Sequence, residues 1–396
     1  MIRTIKNTFH LFNALVAGLF YGFPANKLRI IGITGTDGKT TTTHLTHEIL
    51  TAAEKKTSMI SSVYAKVGGK EYDTGFHVTT PNPWFLQKML KKAVDHGDEY
   101  FVLEVTSHGL DQNRVWGIPF EIGIVTNITP EHLDYHQTYE QYAASKIKLL
   151  ERSKTAVVNR EDESYTLIYN LKFKIHELIT YGLKRGDNTL KTCKFSTSLP
   201  GDYNKSNILA AYSAAKQLGI SDSDIRKAVA GFSGIKGRYE TQKTPYGFDV
   251  IIDFAHTSNG LTRVLSTVRK KTKGRLIHVF GCAGLRDVKK RPIMGEISGR
   301  IADISIITEE DYRTEDFDTI VAQIRSGMKR KQHVHVYKFR RDAINFATSI
   351  ARRGDVVVLT GKGHEKSLCR GTTEYPWSEH EAVKKALKLK SSLRTK

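Results

Sequence analysis

The strongest constraint on the fold of this chain is the regular alternation of short apolar runs with segments of helical periodicity. In the first half the apolar runs are "LRIIGIT", "YFVLEV", "EIGIVTNI" and "TAVVN", and the helical patterns include "TTTHLTHEIL", "TYEQYAASKIKLL" and "NILAAYSAAKQLGI". A second series follows "SGIKGRYE", with the runs "FDVIIDF", "LIHVFG", "ISIIT", "VHVYKF" and "DVVVLTG". Strands that alternate with helices form mostly parallel sheets covered by helices. We therefore predict an α/β fold made of two doubly wound units.

The chain of 396 residues is longer than one hydrophobic core usually serves. We predict an N-terminal amphipathic helical segment over residues 1–28, a central domain over 29–236 and a C-terminal domain over 237–396. In the first segment bulky apolar residues recur at helical spacing, namely Ile5, Phe9, Phe12, Val16, Leu19 and Phe23. The uninterrupted apolar run from Ala14 to Phe23 is too short to span a bilayer. We expect this helix to pack on the domain. A helix on a membrane surface is the alternative, and a signal peptide is disfavoured because a nucleotide-type loop follows.

The formal net charge of +20 has two interpretations. It can serve solubility, or it can attract an anionic partner such as a nucleotide, a nucleic acid or an acidic lipid. The basic residues are spread over many segments, without the aromatic-interleaved basic stretch of a nucleic-acid-binding module. The three cysteines, Cys193, Cys282 and Cys369, are far apart, which argues against a disulfide framework or a zinc ribbon and suits a reducing compartment. We predict a cytoplasmic protein with no nucleic-acid partner.

The stretch "GITGTDGKTTTTHL", residues 32–45, is a glycine-rich turn between a strand and a helix. The common P-loop pattern needs a glycine where this chain has Ile33, and the shorter pattern G-x-x-G-K-T is present from Gly35 to Thr40. Backbone N–H groups of this turn can hold phosphate oxygens, Lys39 adds a positive charge, and the hydroxyl of Thr40 or Thr41 can bind Mg²⁺. A plain strand-to-helix turn is the alternative.

Two further stretches offer metal ligands. Glu104 ends the strand "YFVLEV", at the sheet edge where the glycine-rich turn should lie. It could bind a metal, or it could be a solvated charge. His132, Asp134 and His136 crowd the loop after "IGIVTN".

The helix that opens at Thr138 carries a lysine on its apolar face. Lys146 lies four residues after Tyr142 and three before Leu149, so the three side chains share one face. The lysine could extend its amine to the rim of the core. Alternatively, burial favours the neutral amine, which can capture CO₂ as a carbamate and become an anionic metal ligand.

Polar residues also follow other elements of the predicted sheets. Asn204 and Asn207 start a helix, where they could cap it or contact a nucleotide. In the second half, polar loops follow the strands directly: "AHTSNG", "GCAGLRD", "EEDYR" and "GKGHE". Because parallel strands end at one edge of a sheet, we expect these four loops to line one ligand-binding mouth.

Eleven motifs, in order and spacing, resemble those of the Mur ligases, and most closely those of the UDP-N-acetylmuramoyl-tripeptide synthetases. They run from about Ile30 to about Leu387 and read "TGTDGKTTTT", "TTP", "EVTSHGLDQNRV", "TNITPEHLDYH", "YAASK", "GDYNKSN", "GRYE", "DFAHT", "GCAGLRDVKKRP", "EEDYRTED" and "GKGHE". The resemblance implies a P-loop ATPase-type central domain followed by a Rossmann-like C-terminal domain. It also implies an ATP-dependent ligase of peptidoglycan synthesis, which we expect to be a monomer.

The resemblance implies roles for residues at matching positions. ATP would be bound by Gly35, Thr36, Asp37, Gly38, Lys39, Thr40, Thr41, Asn204, Asn207, Arg238, Asp253 and His256. Two Mg²⁺ ions would be held by Thr40, Glu104, His132 and Lys146, the last as a carbamylated lysine. Lys39, Lys146, His132 and Glu104 would form the catalytic centre. The muramoyl-peptide acceptor would contact Thr79, Thr80, Thr106, Gln112 and Arg114, and the incoming amino acid would contact Arg286, Asp311, Arg313, Gly361 and Glu365.

Two features depart from the family pattern. Family members carry an N-terminal domain that binds uridine diphosphate, and we expect it to be absent because only about 30 residues precede the loop, fewer than a domain needs. The D-N-P-R motif of diaminopimelate-adding members reads Glu310-Asp311-Tyr312-Arg313. The arginine suits the distal carboxylate of meso-diaminopimelate. We expect addition of meso-diaminopimelate, or else L-lysine, to the D-glutamate carboxylate of a muramoyl dipeptide through an acyl phosphate.

Other functions stay open from the sequence. A Mur-like ligase could act on a non-UDP acceptor, lipid-linked or poly-glutamyl, with the N-terminal helix on the membrane. An amidase-type relative usually carries four zinc-binding cysteines, and folylpolyglutamate synthetases fit the "GKGHE" element less well. A P-loop nucleic-acid-binding protein would suit the charge but would leave Lys146 and the four loops of the second half unexplained.

Overall fold

The computed structural model describes residues 2–75, 79–170, 175–329 and 333–394, with side chains between residues 6 and 392. The chain divides into two compact units, Met1–Ser233 and Gly234–Lys396. Each unit has its own sheet and its own buried apolar clusters.

In the described part of the first unit, eight strands form one sheet in the order β4-β3-β2-β5-β1-β6-β7-β8. The strands are β1 Arg29–Thr34, β2 Thr57–Ile60, β3 Ala65–Val67, β4 Lys70–Tyr72, β5 Tyr100–Glu104, β6 Phe120–Val125, β7 Ser153–Asn159 and β8 Glu177–Tyr181. All neighbours from β2 to β8 in this order are parallel, and β3 and β4 extend the edge as antiparallel strands.

The helices of the first unit are α1 Ile2–Tyr21, α2 Lys39–Ala52, α3 Pro83–His96, α4 Ser107–Asp111, α5 Leu133–His136, α6 Tyr139–Glu151, α7 Tyr165–Asn170, α8 Asp202–Gln217 and α9 Asp222–Gly231. Helix α6 begins where the sequence predicts, because the side chain of Thr138 accepts a hydrogen bond from the N–H of Gln141. One buried cluster packs α3 on the sheet through Leu86, Leu90 and Phe101, and another packs α6 on it through Ile147 and Leu150.

The N-terminal helix α1 packs against α3, but not with the side chains that the sequence analysis selected. Ala14 and Ala17 are buried in this contact. The bulky residues Phe9, Phe12 and Leu19 remain more than half exposed. Small residues let two helices approach closely, so the small face packs and the bulky stripe points away from the unit. Among the helices that the structure describes, none has the length and apolar content to cross a bilayer.

In the described part of the second unit, six strands form a sheet in the order β13-β12-β11-β14-β10-β9, and a separate hairpin pairs β15 with β16. The strands are β9 Glu240–Lys243, β10 Asp249–Ile252, β11 Leu276–Phe280, β12 Ile304–Thr308, β13 Val334–Tyr337, β14 Val356–Leu359, β15 Ser367–Arg370 and β16 Thr373–Pro376. All but β9 run parallel within the larger sheet.

Helices cover both faces of this second sheet. They are α10 Ser258–Lys271, α11 Lys290–Ile301, α12 Phe317–Ser326, α13 Arg340–Ile350 and α14 Glu379–Arg394. One face buries residues of α10, α11 and α12, including Leu265, Met294 and Ile324, and the other buries residues of α13 and α14, including Ile344 and Val383. The predicted α/β fold with doubly wound sheets is confirmed.

Candidate active site

Two glycines shape the turn between β1 and α2. Gly35 has a φ of 152° and Gly38 a φ of 84°. A Cβ atom on Gly35 would lie 1.8 Å from Oγ1 of Thr126, and one on Gly38 would lie 2.2 Å from Oδ1 of Asn207. Both positions therefore require glycine, because Thr126 and Asn207 pack directly against the turn at the N-terminus of α2. Such a helix end attracts phosphate oxygens.

The loop after β6 braces this turn. The N–H of Thr36 donates to the carbonyl of Asn127 over 2.8 Å, and the N–H of Asp37 donates to Oδ1 of Asn127 over 3.0 Å. Thr126 Oγ1 and Asn127 Nδ2 donate in turn to the carbonyl of Asp37. From the sequence, the N–H groups of the whole turn are expected to hold phosphate oxygens. Those of Thr36 and Asp37 are instead used by Asn127, because the loop needs internal partners to keep its shape.

The predicted metal ligands Thr40 and Glu104 meet directly. Glu104 ends β5 and is 1% exposed, and its Oε1 accepts a hydrogen bond from Thr40 Oγ1 over 3.1 Å. Its other oxygen accepts from the N–H of Ser62, whose hydroxyl lies 2.9 Å from that of Thr40. Parallel pairing of β1 with β5 brings the strand end and the glycine turn to one edge. The result is a buried group of hard oxygen donors, the kind that Mg²⁺ prefers.

Lys146 is buried, as its place on the apolar face of α6 predicts. Its side chain is 2% exposed, its Nζ donates to the carbonyl of Gly35 over 2.6 Å, and the amine lies 4.6 Å from the ring centre of Tyr142. Burial, and then the positive charge of Lys39, hold the pKa of Lys146 well below its usual value. Lys39 itself donates to the carbonyls of Gly35 and Thr36. A buried lysine with a lowered pKa is a candidate functional group.

His132 caps the short helix α5 and is half-buried in a cluster of aromatic rings. Its φ of 57° is unusual for a residue other than glycine. Its ring centre lies 5.0 Å from that of His108 and 6.3 Å from that of Tyr142. In the described ranges no group of three or more His, Cys, Asp or Glu residues is placed to hold a metal ion. Any metal here would therefore need donors of other kinds as well, such as the hydroxyl of Thr40.

Four of the five predicted acceptor contacts form one hydrogen-bonded group. Thr80 Oγ1 accepts from the N–H of Thr106 over 2.8 Å, and the carbonyl of Thr80 accepts from Nη1 of Arg114 over 2.8 Å. Arg114 Nε also donates to Oε1 of Gln112 over 3.0 Å. Burial lowers the pKa of Arg114. Thr79 is half-buried directly before Thr80. This group shares the β5 end with Glu104, because Thr106 lies two residues beyond it.

The nucleotide-side candidates lie in both units. In the first unit the side chain of Asn207 packs against Gly38. Asn204 does not cap α8, because its side chain donates to the carbonyl of Pro200 and the N-cap residue is Gly201. In the second unit three of them follow one another around the end of β10. Asp253 accepts hydrogen bonds from the N–H groups of Tyr239 and Ala255. The guanidinium of Arg238 lies 4.4 Å from the ring centre of Phe254. The ring centre of His256 lies 4.7 Å from that of Phe254.

The loops after β10, β11, β12 and β14 converge at one edge of the second sheet, as predicted. Nη1 of Arg313, in the loop after β12, donates to the carbonyl of Gly284, in the loop after β11, over 2.7 Å. Lys290 donates to the carbonyl of His256, in the loop after β10. A Cβ on Gly361, after β14, would lie 2.6 Å from Oε2 of Glu310. Arg286 lies in the loop after β11 and is exposed.

Lys362, which was not among the predicted site residues, pairs with two of the residues that were predicted to contact the incoming amino acid. Lys362 is fully buried, and its Nζ lies 2.9 Å from Oδ1 of Asp311 and forms a second ion pair with Glu365. Burial alone would lower the pKa of Lys362, but the carboxylates of Glu365 and Asp311 raise it above the usual value. The sequence did contain a signal for this residue, because Lys362 lies inside "GKGHE" between the predicted site residues Gly361 and Glu365.

Glu310 was also missed as a site residue. Burial, followed by the charge of Asp311, raises its pKa to about 7. Its Oε2 is buried without a hydrogen-bond partner among the described residues. A buried carboxyl oxygen that lacks a hydrogen-bond partner is costly for stability, and together with the raised pKa it points to a functional role.

Two family models match this chain. The model of the Mur ligase middle domain matches residues 33–215, and that of the Mur ligase glutamate ligase domain matches residues 237–363. A relative from Clostridium acetobutylicum, UDP-N-acetylmuramoyl-L-alanyl-D-glutamate–2,6-diaminopimelate ligase 1, is 37% identical over 396 aligned residues, which cover 95% of this chain and 81% of the relative.

Solved structures show the same fold. A UDP-N-acetylmuramoyl-L-alanyl-D-glutamate–2,6-diaminopimelate ligase is 29% identical, with a TM-score of 0.61 over 92% of this chain and 79% of the other. The folylpolyglutamate synthase of Mycobacterium tuberculosis, complexed with ADP and AMPPCP, is 19% identical, with a TM-score of 0.73 over 89% of this chain and 92% of the other.

Proposed function

This chain belongs to the Mur ligase family of ATP-dependent amide ligases, and we propose that it adds meso-diaminopimelate to the D-glutamate carboxylate of a muramoyl dipeptide. One observation carries the proposal: Thr40 bonds to Glu104 beside the glycine turn, and the amine of Lys146 donates to the carbonyl of Gly35 in that turn. The choice of amino acid is supported by Arg313 and by the relatives that are named as 2,6-diaminopimelate ligases.

ATP fits the turn between β1 and α2. Gly35 and Gly38 let Thr126 and Asn207 pack directly against the turn without a clash, and Lys39 stands at the start of α2 with its charge beside the turn. Backbone at a helix N-terminus and a lysine together bind the phosphates of a nucleotide. The ADP and AMPPCP found with the folylpolyglutamate synthase of the same fold agree with this assignment.

Two Mg²⁺ ions would be held by Thr40, Glu104, His132 and Lys146. The fit rests on the buried oxygens of Thr40 and Glu104 and on the lowered pKa of Lys146. A neutral Lys146 amine can add to CO₂, which forms an N–C bond, releases one proton and leaves an anionic carbamate. This carbamate would supply a second anionic ligand beside the carboxylate of Glu104. Bound Mg²⁺ would neutralise charge on the phosphate oxygens.

The reaction then proceeds in two transfers. The D-glutamate carboxylate attacks the γ-phosphorus of ATP, the bond to ADP breaks, and an acyl phosphate forms. The amine of the amino acid, having lost its proton, attacks the acyl carbon, and inorganic phosphate leaves. Phosphoryl transfer needs positioning and charge neutralisation more than acid–base catalysis. Lys39 would supply the charge, and the group around Thr80, Gln112 and Arg114 would orient the acceptor.

The second unit would bind the amino acid. Arg313 would pair with the distal carboxylate of diaminopimelate, because a guanidinium can bind a carboxylate with two parallel hydrogen bonds. Asp311, Glu365 and Glu310 would make the surroundings favourable for an ammonium group, with Lys362 balancing part of their charge.

The test is an assay of ADP and phosphate release together with the mass of the product. We expect release only when acceptor and amino acid are both present, with UDP-linked muramoyl dipeptide and meso-diaminopimelate giving the highest rate. L-Lysine and an acceptor without UDP are the comparison arms. Release without any acceptor would contradict the proposed ligation, and a strong preference for L-lysine or for the UDP-free acceptor would contradict the assigned substrates.

A further inference from the structure

Helix α1 turns its bulky apolar side chains to the solvent. Phe9, Phe12, Leu19 and Phe20 are 63%, 64%, 62% and 72% exposed. At 100° per residue they occupy about 100° of the helix circumference, so they form one continuous stripe. A helix that only packs on its own domain would bury such a stripe. Monomeric proteins rarely expose this much contiguous apolar surface unless it binds something.

Aromatic side chains extend this stripe onto α3. The ring of Phe20 lies 5.6 Å from that of Trp84 and 5.0 Å from that of Tyr21. Trp84 is 39% exposed. Tryptophan and tyrosine favour the boundary between lipid tails and headgroups, where an apolar ring and a polar N–H or O–H are both satisfied. We call Phe9, Phe12, Leu19, Phe20 and Trp84 the apolar stripe.

Two exposed basic residues lie beside the apolar stripe. Lys6 is exposed on α1, and Lys88 is exposed on α3 four residues after Trp84, hence on the same face of that helix. Helix α1 contains no aspartate or glutamate, and the chain carries a net charge of +20. Basic residues beside an apolar helix face are the pattern of helices that lie on anionic lipid. A second copy of this chain would instead bring like charges together across the contact.

We infer that the apolar stripe docks on the surface of a membrane that contains anionic lipid. The bulky side chains would enter the boundary of the acyl chains, and Lys6 and Lys88 would face the headgroups. The small face of α1, with Ala14 and Ala17, remains packed on the protein, so docking needs no rearrangement of the helix. The helix lies on the bilayer and does not cross it.

Docking would bring the bilayer close to the acceptor candidates. Nδ2 of Asn7, on α1, donates to Oδ2 of Asp111 over 3.2 Å. The same carboxylate oxygen accepts from the hydroxyl of Tyr135, which in turn accepts from Nε2 of Gln112. Only the width of one helix, about 10 Å, therefore separates the lipid from this end of the acceptor group.

The experiment is co-sedimentation of the full chain with phosphatidylcholine vesicles, with and without phosphatidylglycerol. We expect binding to the vesicles that contain phosphatidylglycerol, weakened by added salt. The double variant Phe9→Gln/Phe12→Gln should lower the partition coefficient about tenfold or more, since it removes two large apolar side chains from the contact. The matched control is Tyr169→Gln/Leu389→Gln, which changes two exposed apolar residues elsewhere and should bind like the unmodified protein.

Several results would overturn the inference. Failure of the unmodified protein to bind either kind of vesicle would do so, and so would equal binding by the Phe9→Gln/Phe12→Gln variant. Equal binding to both kinds of vesicle would refute the requirement for anionic lipid. If light scattering showed a dimer that the same substitutions dissociate, and no vesicle binding, the stripe would be an interface between copies. Ligation of a soluble acceptor is measured in parallel, and its loss would count against the proposed reaction and not against docking.

Discussion

The amine of Lys146 donates a hydrogen bond to the carbonyl of Gly35 over 2.6 Å, although the two residues are 111 positions apart in the chain. This contact joins the middle of α6 to the first glycine of the turn between β1 and α2. Burial and then the charge of Lys39 lower the pKa of Lys146, so its neutral form is more favoured than that of an exposed lysine. A carbamate nitrogen keeps one N–H, so the contact with Gly35 can persist after CO₂ is bound.

We predict that Lys146→Met abolishes the carbamate and lowers the rate of ligation about a hundredfold or more, because the centre loses an anionic ligand. Methionine keeps the volume and the apolar character of the buried site, so the fold should be retained. The carbamate is measured as a carbon-13 resonance after equilibration with labelled bicarbonate. Lys154→Met, at an exposed lysine of β7, is the control and should change neither reading. A variant at position 146 that keeps full activity would contradict the role.

We predict that Gly38→Ala lowers the affinity for ADP about tenfold or more. The new Cβ would lie 2.2 Å from Asn207 Oδ1, and the φ of 84° is unfavourable for alanine, so the turn must change shape. Gly219→Ala is the matched control, since Gly219 has a φ of 81° with no atom within 4 Å of the added Cβ. The positive φ should cost each variant about 1 kcal/mol of stability, the clash should cost Gly38→Ala more, and only Gly38→Ala should lose affinity for the nucleotide. Calorimetric titration with ADP measures the difference, and equal affinities would contradict it.

We predict that Arg313→Ala lowers kcat/KM for meso-diaminopimelate about a hundredfold and changes that for L-lysine less than about threefold. The reason is that only diaminopimelate has a distal carboxylate for the guanidinium to bind. Arg325→Ala, at an exposed residue of α12, is the control. Equal losses with both amino acids would show that Arg313 supports the loop through its bond to Gly284 and does not select the substrate.

We predict that Glu310→Gln removes a pH dependence of stability. The carboxyl of Glu310 titrates near 4.5 when unfolded and at about 7 when folded, so the folded protein binds more protons between these values. Its contribution to the free energy of unfolding is therefore fully present below pH 4.5 and is lost as the pH rises through about 7. Above that pH the glutamine variant should be more stable by up to roughly 3 kcal/mol.

Urea unfolding across this pH range tests the prediction. Glu381→Gln, at an exposed glutamate of α14, is the control and should follow the unmodified protein at every pH. A constant difference between the Glu310→Gln variant and the unmodified protein would mean that the carboxyl does not change protonation in this range.

Much of the site could be predicted, because helix periodicity and the order of strands and loops decide where its residues lie. The spacing of Tyr142, Lys146 and Leu149 on one helix predicted a buried lysine, and parallel strands predicted that the four loops of the second unit share an edge. These arguments need only helix periodicity and the rule that parallel strands end together.

The rest depends on contacts between distant segments. Ser62 follows a strand of only four residues, so nothing in the sequence indicated that it would join Thr40 and Glu104. Lys362 lies between two glycines of a predicted loop, and its ion pair is with Asp311 from another loop. Periodicity showed that α1 is amphipathic but could not show which face packs, because that depends on how closely α3 can approach.

The glycine turn is contacted by residues that lie far from it in the chain: Thr126 and Asn127 after β6 bond to it, and Asn207 on α8 packs against Gly38. Its shape is thus a property of three segments acting together. Transplanting Gly35–Thr40 alone into another ligase scaffold should produce a correct motif in a wrong conformation. A graft that carries residues equivalent to Thr126, Asn127 and Asn207 along with the turn is the smallest exchange that should keep nucleotide binding.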